Sequence, residues 1–484
     1  MKYLSYILFI LLLTTVGCVS MGPDYTRPDT GVKLPENFLG AEGNSTQQYV
    51  TNNKWWEEFG DTRLNQVVAN VVVNNPDIQK AAASVMEARA IVGQTRAGQY
   101  PTLDLSANGA KQQQSVVDPF TGNNVSVKTD TFSFTLPASF ELDLWGRLSR
   151  ATEAARADLL AAEGNRRTIA QSLIAESVSQ YFNILSLEEQ LKISRQLTQT
   201  YKDNLELVEA RYRRGLTSVL EVQQARRSLA QSEAEIPSLV QAVGKARQAL
   251  AVLQGSYPEA EAIQTAWIVE FELPPPIPAG LPSELLNRRP DIKAAEAALE
   301  AASARIGVAK ASRFPQISLT ASFGYTSNEL HSLFDPENEL WRIAGGVFQP
   351  VFDAGKRKSA QRAAEARYQK QLAAYAKTLL DAFAEVEGAL LTRKQQIERH
   401  SRLVIFSGEA KATLETALDR YQRGLTDYLN VLDAQQANFQ AELSLVKTRY
   451  TIYTNRVAIY RALGGGWDNL SENTNRSDKK DSNL

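Results

Sequence analysis

The chain has 484 residues, with 53 basic against 54 acidic side chains, two His and one Cys. A formal charge of −1 offers no global field to draw in nucleic acid or an acidic substrate, and a single cysteine excludes an intrachain disulfide. The length alone would allow roughly three ordinary domains, but a long internal repeat argues for one continuous body instead.

The first segment, residues 1–17, carries Lys2, an apolar run from Leu4 to Leu13 and then Thr15-Val16-Gly17 before Cys18. A run of about ten apolar residues is too short to span a bilayer as a helix, so it reads as a cleaved signal peptide. Cys18 stands where a bacterial lipoprotein signal places its acylated residue. Acylation consumes the thiol, so a covalent lipid on Cys18 is the one non-protein group expected, with no metal or other cofactor. Val19 and Ser20 follow, and the lack of Asp there suits an outer-membrane destination. A multiply acylated terminus gives durable attachment to membrane lipid.

Residues 18–60 read as a lipid-anchored linker, beginning Met21-Gly22-Pro23-Asp24-Tyr25. A first repeat then covers 61–253, a Pro-rich connection 254–282, a second repeat 283–463 and a polar tail 464–484. Pro76-Asp77-Ile78 returns 214 residues later as Pro290-Asp291-Ile292, and Tyr100-Pro101 as Phe314-Pro315. At an offset of 209, the run from Arg211 to Thr217 returns as Arg420 to Thr426.

Within each repeat a helix stops at an aromatic-Pro pair and alternating sequence follows. Leu103, Leu105 and Ala107 alternate with polar residues, as do Phe132, Phe134 and Leu136, then Ile317, Leu319, Ala321, Phe323 and Tyr325. Strands are expected at about 102–111, 130–142, 316–326 and 340–350, each about the length that crosses a bilayer when tilted. Lys111 to Asp130 and Ser327 to Leu340 read as external loops. Four strands cannot close a barrel, and an open edge in lipid strands its backbone donors. Several copies must complete it; three give twelve strands, and strand count alone leaves a dimer open as well.

From Gly146 to Gly215, and again from Gly355 to Gly424, the spacing of apolar residues is helical, as in Ile174, Val178, Tyr181 and Leu185. Such a helix reaches about 100 Å. Each ends at a glycine, turns, and starts back, so each repeat holds one very long helical hairpin. The fold expected is a mixed α+β membrane protein: four β-strands per chain in a shared barrel, plus long antiparallel α-helical hairpins.

Leu281-Pro282-Ser283-Glu284-Leu285-Leu286-Asn287-Arg288-Arg289-Pro290-Asp291-Ile292 resembles the outer membrane efflux protein family, the TolC-like outer membrane factors. Gly22-Pro23-Asp24-Tyr25, Trp55-Trp56, Phe140-Glu141-Leu142-Asp143-Leu144-Trp145-Gly146 and Ala462-Leu463-Gly464-Gly465-Gly466-Trp467 are similar to its lipoprotein branch, the NodT-type partners of resistance-nodulation-division pumps. The resemblance implies a homotrimer, with a twelve-stranded outer-membrane barrel above a twelve-helix periplasmic tunnel. It further implies docking onto a periplasmic membrane-fusion adaptor and an inner-membrane transporter that supplies the energy. The function expected is an exit duct for small toxic compounds or drugs; a protein-secretion duct and a lipid-anchored scaffold without a pore are the other readings.

At the hairpin tips, Arg214-Gly215-Leu216-Thr217 and Arg423-Gly424-Leu425-Thr426 are expected to cap the helices, and the resemblance adds adaptor contact to that role. It also implies that Leu429 and Asp433, four residues apart on one helix face, form an apolar and an acidic ring narrowing the periplasmic entrance. The first repeat has Leu220 and Gln224 there instead. Arg420, Tyr421 and Arg423 are the candidates for holding the tips together. No catalytic constellation competes: His331 falls in an external loop and His400 in a helix, without metal-ligand spacing around either.

Overall fold

The computed structural model describes residues 20–32, 35, 37–39, 54–117, 119–120, 122–258, 268, 272–277 and 282–465. The expected signal peptide, Cys18, most of the Pro-rich connection and nearly all of the polar tail lie outside the described residues. In chain order the elements are α1 (Thr62–Asn74), α2 (Pro76–Ala97), β1 (Thr102–Leu103), β2 (Ser106–Val117), β3 (Asn124–Leu142), α3 (Arg147–Arg213) and α4 (Val219–Leu253). There follow α5 (Leu285–Arg288), α6 (Pro290–Ala311), β4 (Gln316–Ser327), β5 (Glu339–Phe348), α7 (Lys356–Gln422) and α8 (Tyr428–Ala462).

The repeat holds to the residue. An offset of 214 carries α2 onto α6, and an offset of 209 carries α3 onto α7 and α4 onto α8. Local chemistry explains the shared boundaries. Pro76 and Pro290 each open a helix at the position where a missing N–H costs nothing. Asn75 accepts from the backbone N–H groups of Asp77 and Ile78 and so caps the first copy. Arg289 precedes the second. Its buried guanidinium grips Asp291 at 2.6 Å, Glu385 at 2.8 Å and the carbonyl of Ala462 at 3.0 Å.

The strands form one antiparallel sheet in the order β1/β2, β3, β4, β5. β1 and β2 lie on the same side of β3 in one continuous register, with Leu103 facing Ala138 and Ser106 facing Thr135. The gap between them has a single cause. Pro137 stands opposite Asp104, accepts its N–H at 2.9 Å and has no N–H to return. The two segments are therefore one strand with a missing rung.

One face of the sheet carries Leu103, Leu105 and Ala107, then Phe132, Phe134, Leu136 and Phe140, then Ile317, Leu319, Phe323 and Tyr325, then Trp341, Ile343 and Val347. The other carries Ser133, Thr135, Ser139, Ser318, Thr320, Ser322 and Arg342. The first hairpin runs further than expected. Lys111 to Asp130 was read as loop, yet Lys111 faces Asp130 across the ladder with a 3.0 Å ion pair, and pairing continues to Val117 and Asn124. Beyond Phe132 both faces carry polar side chains, so the alternation that marks a half-buried strand disappears while the backbone ladder does not. Val116, Val117, Val125 and Val127 keep the β-preference of the extension. Among the described residues no helix is long and apolar enough to cross a membrane.

The chain divides into two compact units. The first comprises Met1–Thr30, Ser84–Glu163 and Ala294–Tyr375, and so holds the sheet. Here the expected linker is seated rather than free. Met21 donates its N–H to the carbonyl of Trp145 at 3.1 Å, Asp24 pairs with buried Arg150 at 2.6 Å, and Arg27 pairs with Glu296 at 2.6 Å. Gly22 lies against Gly307 so closely that a Cβ on Gly22 would fall 2.5 Å from the Gly307 Cα. Trp145 stacks on Phe314 with ring centres 5.0 Å apart and donates to the carbonyl of Pro315, while Asp143 caps α3 through the N–H groups of Leu148 and Ser149.

The second unit comprises Gly31–Ala83, Gly164–Lys293 and Ala376–Leu484. A helical turn at Trp55–Phe59 buries both tryptophans; Trp55 stacks on Tyr460 and Phe59 meets Phe182, which stacks on Tyr453. Arg456 links this turn to the connection, donating to Glu58 and to the carbonyl of Pro275.

The closest backbone approach in the sheet lies at Gly324, where a Cβ would sit 2.1 Å from the carbonyl oxygen of Phe134. Gly324→Val should cost about 1–3 kcal/mol of sheet stability and sharply reduce the level of full-length protein seen by immunoblot. Gly345→Ala, whose added carbon meets only the side chain of Leu319 at 3.5 Å, should leave that level unchanged.

Candidate functional site

Both hairpin tips in the second unit close with the same turn. Gly215 and Gly424 have φ of 71°, a left-handed conformation that glycine adopts without penalty. The N–H of Gly215 donates to the carbonyl of Tyr212 at 2.9 Å and that of Leu216 to Arg211 at 3.0 Å. In the second tip Gly424 donates to Tyr421 at 3.0 Å and Leu425 to Arg420 at 2.9 Å. Leu216 and Leu425 project outward from their turns, each 61% exposed. Arg214 is exposed beside the first turn, and Thr217 is half-buried. Thr426 accepts from Asn430 at 2.8 Å and so steadies the start of α8. The tips therefore present two near-identical surfaces.

Behind those surfaces the copies differ. Tyr421 is buried, whereas its repeat counterpart Tyr212 is 46% exposed. The Tyr421 ring lies beneath the Arg211 guanidinium, 4.8 Å from its centre, and beside the ring of Tyr428. Its hydroxyl donates to Glu221 at 2.9 Å, and Arg211 donates to the carbonyl of Gln422 at 3.2 Å. Burial, and then the hydrogen bond to Glu221, push the Tyr421 hydroxyl up to about 12, so it remains a donor at any physiological pH. Val208, Val222, Ala225, Val431 and Leu432 pack around this bridge. One side chain of the second hairpin is thus gripped by both arms of the first.

Of the three residues expected to join the tips, Tyr421 makes that contact within the chain. Arg423 pairs with Asp419 at 2.9 Å, one turn back on its own helix. Arg420 is exposed. The crossing arginine is Arg211, its counterpart in the first copy. Arg211 opens the repeated tip motif, a signal that could have found it; Glu221 has no sequence mark at all.

Leu429 is 60% exposed and Asp433 is exposed on the same face of α8, while Tyr428, Val431, Leu432 and Gln435 are buried on the other. In the first copy Leu220 is also exposed, but Gln224 is half-buried. The acidic charge therefore belongs to the second hairpin alone. His331 sits in a short turn between β4 and β5, 3.3 Å from Glu329, and His400 is buried in α7. Among the described residues no group of three or more His, Cys, Asp or Glu is placed to hold a metal ion.

The family model described as outer membrane efflux protein matches residues 67–256 and 281–465, one match per repeat. The chain belongs to the outer membrane efflux protein family. It is 34% identical over 464 residues to the cation efflux system protein CusC of Escherichia coli K12, covering 95% of this chain and 98% of that one. It is 32% identical over 479 residues to the toluene efflux pump outer membrane protein TtgI of Pseudomonas putida, covering 98% and 100%. Among solved structures it superposes on the Campylobacter jejuni CmeC outer membrane channel with a TM-score of 0.86, at 25% identity, over 96% of this chain and 98% of that one. The protein is an outer-membrane efflux channel.

For this channel the Tyr421 bridge has a measurable weight. Tyr421→Phe removes one net hydrogen bond, worth about 0.5–1.5 kcal/mol, while leaving the ring under Arg211. Single-channel recordings should show a roughly two- to tenfold shift toward the more conductive state, and Glu221→Ala should reproduce it.

Proposed function

We propose that three copies form a passive exit duct of a tripartite efflux pump, with the outer-membrane sheet completed as a twelve-stranded barrel and the helical hairpins forming the periplasmic conduit. The observation that carries this reading is a four-stranded sheet, apolar on one face and polar on the other, whose two edge strands have no partner among the described residues. In lipid each unpaired backbone group costs several kcal/mol, so the sheet works only in a closed ring of copies. Three copies supply twelve strands, whereas two would supply eight, whose interior is filled by side chains or narrowed to one small ligand.

The tips dock a periplasmic membrane-fusion adaptor, and an inner-membrane transporter of the resistance-nodulation-division type supplies the energy. What supports the tips as the docking surface is their pair of exposed leucines on rigid, glycine-closed turns. Leu429 and Asp433 line the entrance, three copies of each making an apolar constriction beneath a cation-attracting collar. The cargo is a small toxic compound. Relatives named for cation and for toluene efflux share this architecture, which argues that a wide lumen does not choose. A covalent lipid on Cys18 would anchor the chain in the membrane; what supports it is the lipoprotein-like sequence ahead of that cysteine.

In a strain lacking its own outer-membrane channel, this gene expressed with its adaptor and transporter should restore tolerance to the pump's substrates. Leu429→Ala combined with Asp433→Ala should raise the conductance of the purified channel several-fold in planar bilayers. A channel as tight as the unmodified one would remove these residues from the entrance, and a protein that never conducts would remove the pore. Gly424→Trp, which strains the turn, should abolish tolerance while the membrane level of the protein stays the same.

A further inference from the structure

The face of the sheet opposite Trp341, Ile343 and Val347 carries almost no charge. Among the described residues it presents three ionic side chains, Asp104, Glu141 and Arg342, amid uncharged ones. Glu141 is already engaged, because Arg147 donates to both of its carboxylate oxygens, at 3.0 and 2.6 Å. Asp104 and Arg342 lie in one row of the sheet: Arg342 faces Ser322, Ser322 faces Pro137, and Asp104 stands opposite Pro137. Three strand spacings put their backbones about 14 Å apart, and no ion pair joins them. Arg342 has no acidic partner among the described residues, and neither β4 beside it nor β2 at the opposite edge carries an acid on this face.

The repeat isolates this charge further. An offset of 209 carries Ser133 onto Arg342, so the strands of each chain turn one guanidinium, not two, to the polar face. We infer that Arg342 sets the charge preference of the lumen, enriching anions and holding back cations in the half of the barrel nearest the strand loops. This rests on the closed twelve-stranded reading and deepens it, by giving a preference of sign to a duct wall otherwise lined mainly with neutral groups. The cargo it favours carries a carboxylate, sulfonate or phosphate. The choice is of charge and not of shape, so the range of compounds stays broad.

The residues on either side fix which way Arg342 points. Trp341 and Ile343, 72% and 77% exposed, belong to the apolar face, and turning a guanidinium to lipid in their place is costly. Its surroundings are open: Ser322 opposite, Ala344 two residues on and Gly324 on the diagonal are too small to cover it. Whether its charge is felt across the lumen depends on width. Twelve strands spaced about 4.8 Å and tilted about 40° close on a backbone radius of about 12 Å. The Debye length is about 10 Å at 0.1 M salt and about 30 Å at 0.01 M, so in dilute salt the field of three guanidinium groups spans that lumen, focused by its low-dielectric wall. At about 1 M the length falls to about 3 Å, and the centre of the lumen is neutral.

Reversal potentials across planar bilayers read the preference directly. They are recorded in the Leu429→Ala and Asp433→Ala background, which removes the exposed acid of α8, under a KCl gradient of about 0.01 to 0.1 M. Arg342→Ser should lower the chloride-to-potassium permeability ratio roughly twofold or more. Arg342→Glu should lower it further, Arg342→Lys should keep it, and all the ratios should converge at about 1 M salt. The position is exposed, so each variant should reach the membrane at the unmodified level. Orientation is read separately in whole cells with a charged, membrane-impermeant thiosulfonate, the unmodified protein with Cys18 alone serving as the blank. Arg342→Cys should be labelled and Ile343→Cys should not. Ratios unmoved by Arg342→Ser and Arg342→Glu, with labelling as expected, would overturn the charge preference and leave the barrel standing. Labelling of Ile343→Cys in place of Arg342→Cys would overturn the facing of the sheet, and the preference with it.

Discussion

A peptide group in hydrocarbon has nowhere to send its hydrogen bond except to another peptide group. That constraint governs this protein. Its sheet has three ladders and, among the described residues, two edges without a partner strand, so the subunit is incomplete as a membrane object. The apolar face from Leu103 to Val347 adds to the demand, since it is stable only against lipid, and the polar face of Ser and Thr only against water. The proposed closure by copies would satisfy both faces and both edges at once.

The helical part answers to a different requirement. Here the backbone is satisfied locally, and what remains is to hold the two hairpins together at their tips. Both tips close with the same glycine turn, but their tyrosines differ. Tyr421 is buried under Arg211 and held by Glu221; Tyr212 is not. The acidic Asp433 sits on the same hairpin as the held tyrosine.

The helices and their stopping points were legible because a helix boundary is local chemistry, a proline at one end and a glycine at the other. The alternating strands were legible for as long as one face met lipid and the other water. Past Lys111 that distinction ends, and with it the signal, although the ladder continues. Contacts between distant segments left no such trace. Nothing near Glu221 announces a tyrosine 200 residues away, and Arg289 reads as one basic residue of a pair rather than as a buried hub for Asp291, Glu385 and the end of α8. The segment from Met21 to Arg27 read as a tether because its composition is polar and Pro-containing, whereas its order comes from Arg150 and Glu296, which belong to other elements.

The residue-for-residue match of α3 with α7 and of α4 with α8 restricts how this protein can change over generations. A turn of helix inserted in one hairpin would set its tip about 5.4 Å below its neighbour's, so any lengthening must happen twice, in step, to be harmless. The five-residue difference between the two offsets falls between the strands of each hairpin, where the first copy extends its ladder to Val117 and Asn124 and the second ends at Ser327 and Glu339. Variation in length is therefore expected to collect at those hairpin ends, while the two helical hairpins keep one common length.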